Sequence, residues 1–266
     1  MIRRLPVGVA AGTLLALLLV PVATLLGRAM ANGTLLGVAR SPVVLEALRL
    51  SLVTTSVSLV VTVVLGTPLA YLLARRTTRL TAILEVVVDL PLVLPPSVAG
   101  LGLLLVLGRR GLVGEGLDAA GLAIPFTTLA VILAQVFVAA PFYVRAARAA
   151  IAGVSRDLQD AARVDGASEF RVFLAVTLVL ARPGISAGLV MSWARSLGEF
   201  GATILFAGNV IGRTQTLPLV VYSEFQSGDL EAAIAAASVL VLAAIVVLVA
   251  ARFAHGGRAI ELGAAT

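Results

Sequence analysis

Residues 155–170 read Ser-Arg-Asp-Leu-Gln-Asp-Ala-Ala-Arg-Val-Asp-Gly-Ala-Ser-Glu-Phe and lie between two long apolar runs. Ser155 is placed to cap a helix whose first turn holds Asp157, a carboxylate near the positive end of the helix dipole. Asp165-Gly166 then gives a stop, because glycine enters the left-handed conformation that other residues resist. Ser168 caps a second short helix, with Glu169 at its positive end. Val154, Leu158, Ala161, Ala162, Val164, Phe170, Phe173 and Leu174 recur at helical spacings, so the segment is expected to fold. Ala161 and Ala162 leave the first helix a flat patch of small side chains onto which another protein can pack closely. The expectation is a helix, a sharp glycine turn and a second helix.

The surrounding sequence puts that element at a membrane surface. The chain has 266 residues, 60% of them hydrophobic and 13% charged, with a mean hydropathy of +1.08; ordinary globular domains run near half apolar and about a quarter charged. A hydrocarbon core about 30 Å thick needs roughly 20 apolar residues of helix. Six stretches reach that length: 5–26, 50–74, 83–107, 124–144, 180–206 and 230–251. None alternates in the manner of a barrel strand. The fold class is therefore all-α integral membrane, one transmembrane domain of six helices spanning 1–266, with a long loop at 145–179. The first run exceeds the usual apolar core of a cleaved signal peptide and reads as a span.

All 20 basic residues are arginine, and short Arg-rich loops stay cytoplasmic. Arg3, Arg4, Arg75, Arg76, Arg79, Arg145, Arg148, Arg156, Arg163, Arg171, Arg182, Arg252 and Arg258 fall on the N-terminal side; Arg28, Arg40, Arg49, Arg109, Arg110 and Arg213 fall on the other. The tally of 13 against 6 makes both termini cytoplasmic and turns the 145–179 loop toward the nucleotide-containing compartment. The formal charge of +6 is scattered through these loops, which points to lipid rather than nucleic acid.

Several chemistries are excluded. Without Lys there is no P-loop and no Schiff base, and without Cys no thiolate metal site or cysteine nucleophile. His255 alone cannot make a zinc helix, and an intramembrane hydrolase would lack a usable His, Lys or Cys.

Ionisable and polar groups at bilayer depth cost several kcal/mol unless paired or facing water. In the fifth run Ser192, Arg195, Ser196, Glu199 and Thr203 recur at intervals of three and four, on one helix face that either lines a solvated passage or packs in the bundle. The third run holds Glu85 and Asp89 one turn apart, then Pro91, Pro95 and Pro96, so it is expected to be kinked or broken and central rather than lipid-facing. Glu85, Asp89 or Glu199 could serve as the proton or sodium site of an ion-coupled secondary transporter, or the first two could pair with Arg75 or Arg182. Between runs five and six, Gly208-Asn209 and Gly212-Arg213 mark turns before a short amphipathic segment from Thr216 to Phe225.

Asp160-Ala161-Ala162, then Gly166, then Val176 and Leu178 resemble the E-A-A, three residues, G, nine residues, I-x-L-P signature of ABC importer permeases. The departures are Asp160 for Glu, Val176 for Ile and Val179 for Pro. Ser196-Leu197-Gly198-Glu199-Phe200-Gly201-Ala202-Thr203, continued by Phe206-Ala207-Gly208-Asn209 and Thr214-Gln215-Thr216-Leu217-Pro218, is similar to the molybdate/tungstate branch of oxyanion permeases, with sulfate/thiosulfate permeases nearly as close. The resemblance implies a type I importer permease fold and a homodimer. It also implies two ATP-binding cassette subunits holding ATP and Mg, an extracytoplasmic substrate-binding protein, and no cofactor in this chain. On it, Asp160, Ala161, Ala162 and Gly166 form the coupling helix that docks on the ATPase.

Overall fold

A computed structural model of the chain describes residues 4–33, 37–38 and 40–256; Arg3 and Arg258 of the arginine tally lie outside them. The described residues form helices α1 (Arg4–Ala31), α2 (Pro42–Arg75), α3 (Arg79–Val93), α4 (Pro96–Leu107) and α5 (Gly114–Ala119). There follow α6 (Thr128–Ala152), α7 (Arg156–Val164), α8 (Glu169–Leu197), α9 (Gly201–Phe206), α10 (Leu217–Ser227) and α11 (Leu230–Gly256). Five are long and apolar enough to cross a membrane, and α3 with α4 makes a sixth, bent span.

Helix α6 is the centre of the bundle, clasped by α2 and α8. Small residues let these backbones approach, the usual device where lipid supplies no hydrophobic drive between helices. Gly184 and Gly188 of α8, spaced G-x-x-x-G, lie against Ala150 and Ala146 of α6; a Cβ on either glycine would sit 2.6 or 2.8 Å from the facing alanine Cβ. The Gly188→Val variant is therefore expected to lose about 1–3 kcal/mol of stability through overpacking, read as a lower thermal midpoint in detergent with insertion unchanged.

The third span is broken, as its prolines require, by a bend of 116° at Leu94-Pro95. The bend divides the span into two halves with different surroundings. In the single subunit α3 exposes Ile83, Val86, Val87, Leu90 and Val93, while α4 turns Ala99 and Gly100 inward against α9. Glu85 lies 2.7 Å from Arg148 and Asp89 lies 3.8 Å from Arg145, both on α6, and not beside Arg75 or Arg182.

Span limits also differ from the apolar runs. Helix α2 begins at Pro42 rather than near 50, because proline at a first helical position needs no amide donor. Helix α6 starts only at Thr128, where the Thr127 hydroxyl accepts the Ala130 N–H, and continues past Arg145 and Arg148 because both reach carboxylates on α3. The fifth run, 180–206, is not one helix. Helix α8 starts earlier, at Glu169, and stops at Leu197, and Gly198-Glu199-Phe200 separates it from α9.

Candidate functional site: a docking loop joined to a buried polar face

The Ser155 hydroxyl accepts the Asp157 N–H at 3.2 Å and opens α7. At the other end Gly166 takes φ +85°, while its N–H donates to Arg163 O at 2.9 Å and the Ala167 N–H donates to Ala162 O at 3.0 Å. The Ser168 hydroxyl accepts the Arg171 N–H and opens α8. The helix, glycine turn and helix of the sequence reading are all present. A further tie, which spacing alone does not reveal, crosses the turn: Arg163 donates from Nε and Nη2 to both carboxylate oxygens of Glu169, at 2.6 and 3.1 Å, and also pairs with Asp160. Hydrogen bonds to Glu169 and then Asp160 hold the Arg163 guanidinium above its ordinary pKa, so it stays charged.

The loop rests on the bundle through few side chains. Val154, Gln159 and Val172 are buried. The first residues of α8 pass through a widened π-helical turn, Phe173–Thr177, in which the Phe173 ring meets Tyr71 of α2 edge-on at 5.1 Å between centroids. Where the signature has proline, Val179 simply continues the helix. The apolar residues of the loop do not all anchor it. Leu158 is 53% exposed, Val164 86% and Phe170 71%, and Ala161 is exposed beside the half-buried Ala162.

At the other end of α8, Ser192, Ser196, Glu199 and Thr203 are all 2% exposed or less. The Ser192 hydroxyl donates to Ala139 O on α6 at 3.1 Å, and the Ser196 hydroxyl stands 3.5 Å from the Ser58 hydroxyl on α2. Glu199 lies 2.7 Å from Arg195 Nη2, and its Oε1 accepts the Ala202 N–H at 2.8 Å, satisfying an otherwise orphaned amide in the first turn of α9. Thr203 therefore stands on α9, across the break from Ser192, Arg195 and Ser196, with Glu199 in the break itself. Arg195 has the one partly open side chain of the set, 28% exposed.

A second polar stripe lies opposite on α2: Ser51, Thr54, Thr55, Ser58 and Thr62 are buried at helical spacing. Gln135 Nε2 of α6 donates to the Thr54 and Thr55 hydroxyls at 3.2 and 3.4 Å, and Ser51 Oγ accepts the Leu217 N–H, which pins the start of α10 into the bundle. The signal was available as hydroxyls three and four apart in an apolar run. Such hydroxyls satisfy themselves on preceding carbonyls, as Ser58 does on Thr55 O, and so raise no alarm in a sequence.

A family model described as binding-protein-dependent transport system inner membrane component matches residues 66–256. The chain belongs to this family. Among relatives of the permease, ModB of Mycobacterium tuberculosis, a molybdenum transport system permease protein, is 47% identical over 203 residues, 76% of each chain. The probable transport system permease protein NifC of Clostridium pasteurianum is 40% identical over 209 residues, 78% of this chain and 73% of that one. A bacterial alginate ABC transporter, solved with an alginate-bound periplasmic protein, superposes with a TM-score of 0.73 over 94% of this chain and 93% of that chain, at 19% identity. The permease thus has the type I ABC importer fold, and it is a multi-pass transport subunit of a system that works with a substrate-binding protein.

Proposed function

We propose that the permease carries molybdate, and tungstate with it, into the cytoplasm as a homodimer. Two ATP-binding cassette subunits lie under the α7 face, and the binding protein lies on the opposite face. Both termini are cytoplasmic, and ATP and Mg are held by the partner subunits. The observation that carries this reading is a folded loop, tied by Arg163 to Glu169, that exposes Leu158, Ala161, Val164 and Phe170. Apolar side chains on a structured polar loop call for a protein partner. The 47% identity to a molybdenum permease supports the choice of anion.

Asp160, Ala161, Ala162 and Gly166 form the docking knob in this reading. Ala161 and Ala162 admit close approach of the cassette, and Gly166 sets the angle between α7 and α8. Helix α8 is 29 residues long, so one continuous rod of about 40 Å runs from the knob to the polar face. Closure of the cassettes on ATP draws two such rods together at one end and swings their other ends apart. The face of Ser192, Arg195, Ser196, Glu199 and Thr203 borders the passage. Arg195 meets the anion there weakly, since a tight site would hold the cargo back.

The test is labelled molybdate uptake by proteoliposomes containing the permease with its cassette subunits. Uptake is expected to need ATP inside and binding protein outside, and excess sulfate is expected to compete poorly. Uptake that persists without cassette subunits overturns the reading in favour of ion coupling, and full competition by sulfate overturns the choice of anion.

A further inference from the structure

Between α7 and the end of α2, Tyr71, Arg75, Arg156, Gln159, Asp160 and Arg163 line a polar cleft of about 290 Å³. Its charges do not balance. Arg163 is held by Asp160 and Glu169, whereas Arg75 and Arg156 pair with no carboxylate among the described residues. Arg75 lies over the Tyr71 ring, 5.9 Å from its centroid, and its Nε and Nη2 are buried with no acceptor. Gln159 is 3% exposed, and its Nε2 also donates to nothing. Buried polar groups almost always find partners, and a guanidinium with unused donors is the costliest kind to leave alone.

We propose that this cleft binds a tetrahedral oxyanion, namely the phosphate of an anionic lipid headgroup or free phosphate. Arg75 and Arg156 supply the charge, and Gln159 supplies a neutral donor. A guanidinium fork matches two oxygens of such an anion, and an ordered amide beside it fixes a third. The site lies where a headgroup reaches: at the polar end of a spanning helix, beside a tyrosine, on the arginine-rich side. Filling it ties α7 to α2 through the anion, so the seating of the docking knob depends on occupancy. The cleft is separate from the polar face of α8, and the test below reads binding by the permease alone, so its failure leaves the transport reading untouched.

The full-length permease is placed in nanodiscs of phosphatidylcholine with or without phosphatidylglycerol, and retained lipid is counted by native mass spectrometry. In phosphatidylcholine discs, thermal stability is followed as inorganic phosphate is added. For a headgroup, the wild type retains phosphatidylglycerol, and Arg75→Gln and Arg156→Gln each weaken retention about tenfold. For a free anion, phosphate raises the thermal midpoint in phosphatidylcholine discs, and the same two variants abolish the rise. Arg156 is exposed, so its variant reports even where Arg75→Gln folds poorly. Arg79→Gln, also exposed on this side, retains wild-type behaviour. The proposal is overturned where both cleft variants behave as wild type, or where Arg79→Gln loses as much as they do. It is also overturned where Arg75 becomes shielded from phenylglyoxal only on adding the cassette subunits, which assigns its donors to a protein carboxylate.

Discussion

In a Gly166→Val variant, ATP-driven uptake is expected to fall at least about tenfold while the cassettes continue to hydrolyse ATP. Gly166 has φ +85° and nothing stands within 4 Å of where its Cβ would be, so the obstacle is backbone strain and not crowding. A β-branched residue held in that conformation costs about 1–3 kcal/mol. Nothing over-determines the turn, because the loop is exposed on several sides, so it escapes the strain by leaving the left-handed region. Doing so breaks the Gly166 N–H to Arg163 O and Ala167 N–H to Ala162 O bonds and pulls Arg163 away from Glu169. The angle between knob and rod is then lost, and cassette motion no longer reaches α8. Asparagine tolerates positive φ, so Gly166→Asn is expected to keep most uptake. Insertion and thermal midpoint, measured beside uptake and ATPase rate, separate uncoupling from misfolding. Wild-type uptake by Gly166→Val, at an unchanged midpoint, contradicts the docking assignment.

That turn was legible in the sequence because each of its parts is a local rule: Ser155 and Ser168 as caps, Gly166 as the residue that enters the left-handed stop without strain. The bend in the third span was legible for the same reason, since Pro95 and Pro96 act on their own backbone. What the sequence hid is which side of an element faces what. Helices α1 and α11 are apolar all round, so their composition carries no direction, and whether α3 or α4 turns inward depends on Ala99 and Gly100 meeting α9. The loop shows the same limit from the polar side. Leu158, Val164 and Phe170 have helical spacing whether they anchor the loop or are left for a partner, and periodicity cannot tell these apart. The break after Leu197 was hidden for a further reason. Ser192, Ser196, Glu199 and Thr203 keep the three-and-four rhythm straight through it, while in the structure Phe200 leaves the helical conformation and the Glu199 carboxylate turns back onto the Ala202 amide where the helix restarts.

Glu199 also supplies the second large effect. It is 1% exposed and its charge is balanced by Arg195 at 2.7 Å, so replacing Arg195 by Met leaves a carboxylate in the bundle with no cation beside it. Removing one partner of a buried ion pair costs about 3–5 kcal/mol, and Arg195→Met is expected to lower the thermal midpoint in detergent accordingly. Adding Glu199→Gln removes the stranded charge, and the amide oxygen of Gln can still accept the Ala202 N–H. The double variant is therefore expected to recover most of the lost stability, whereas Glu199→Leu, which gives up both pair and amide bond, is not. Uptake tests the contact of Arg195 with the anion. If Arg195 meets the anion, the stable double variant still transports poorly, since no cation remains at that point of the passage. If Arg195 serves only to balance Glu199, the double variant transports as well as it folds, and the passage must be sought elsewhere in the bundle.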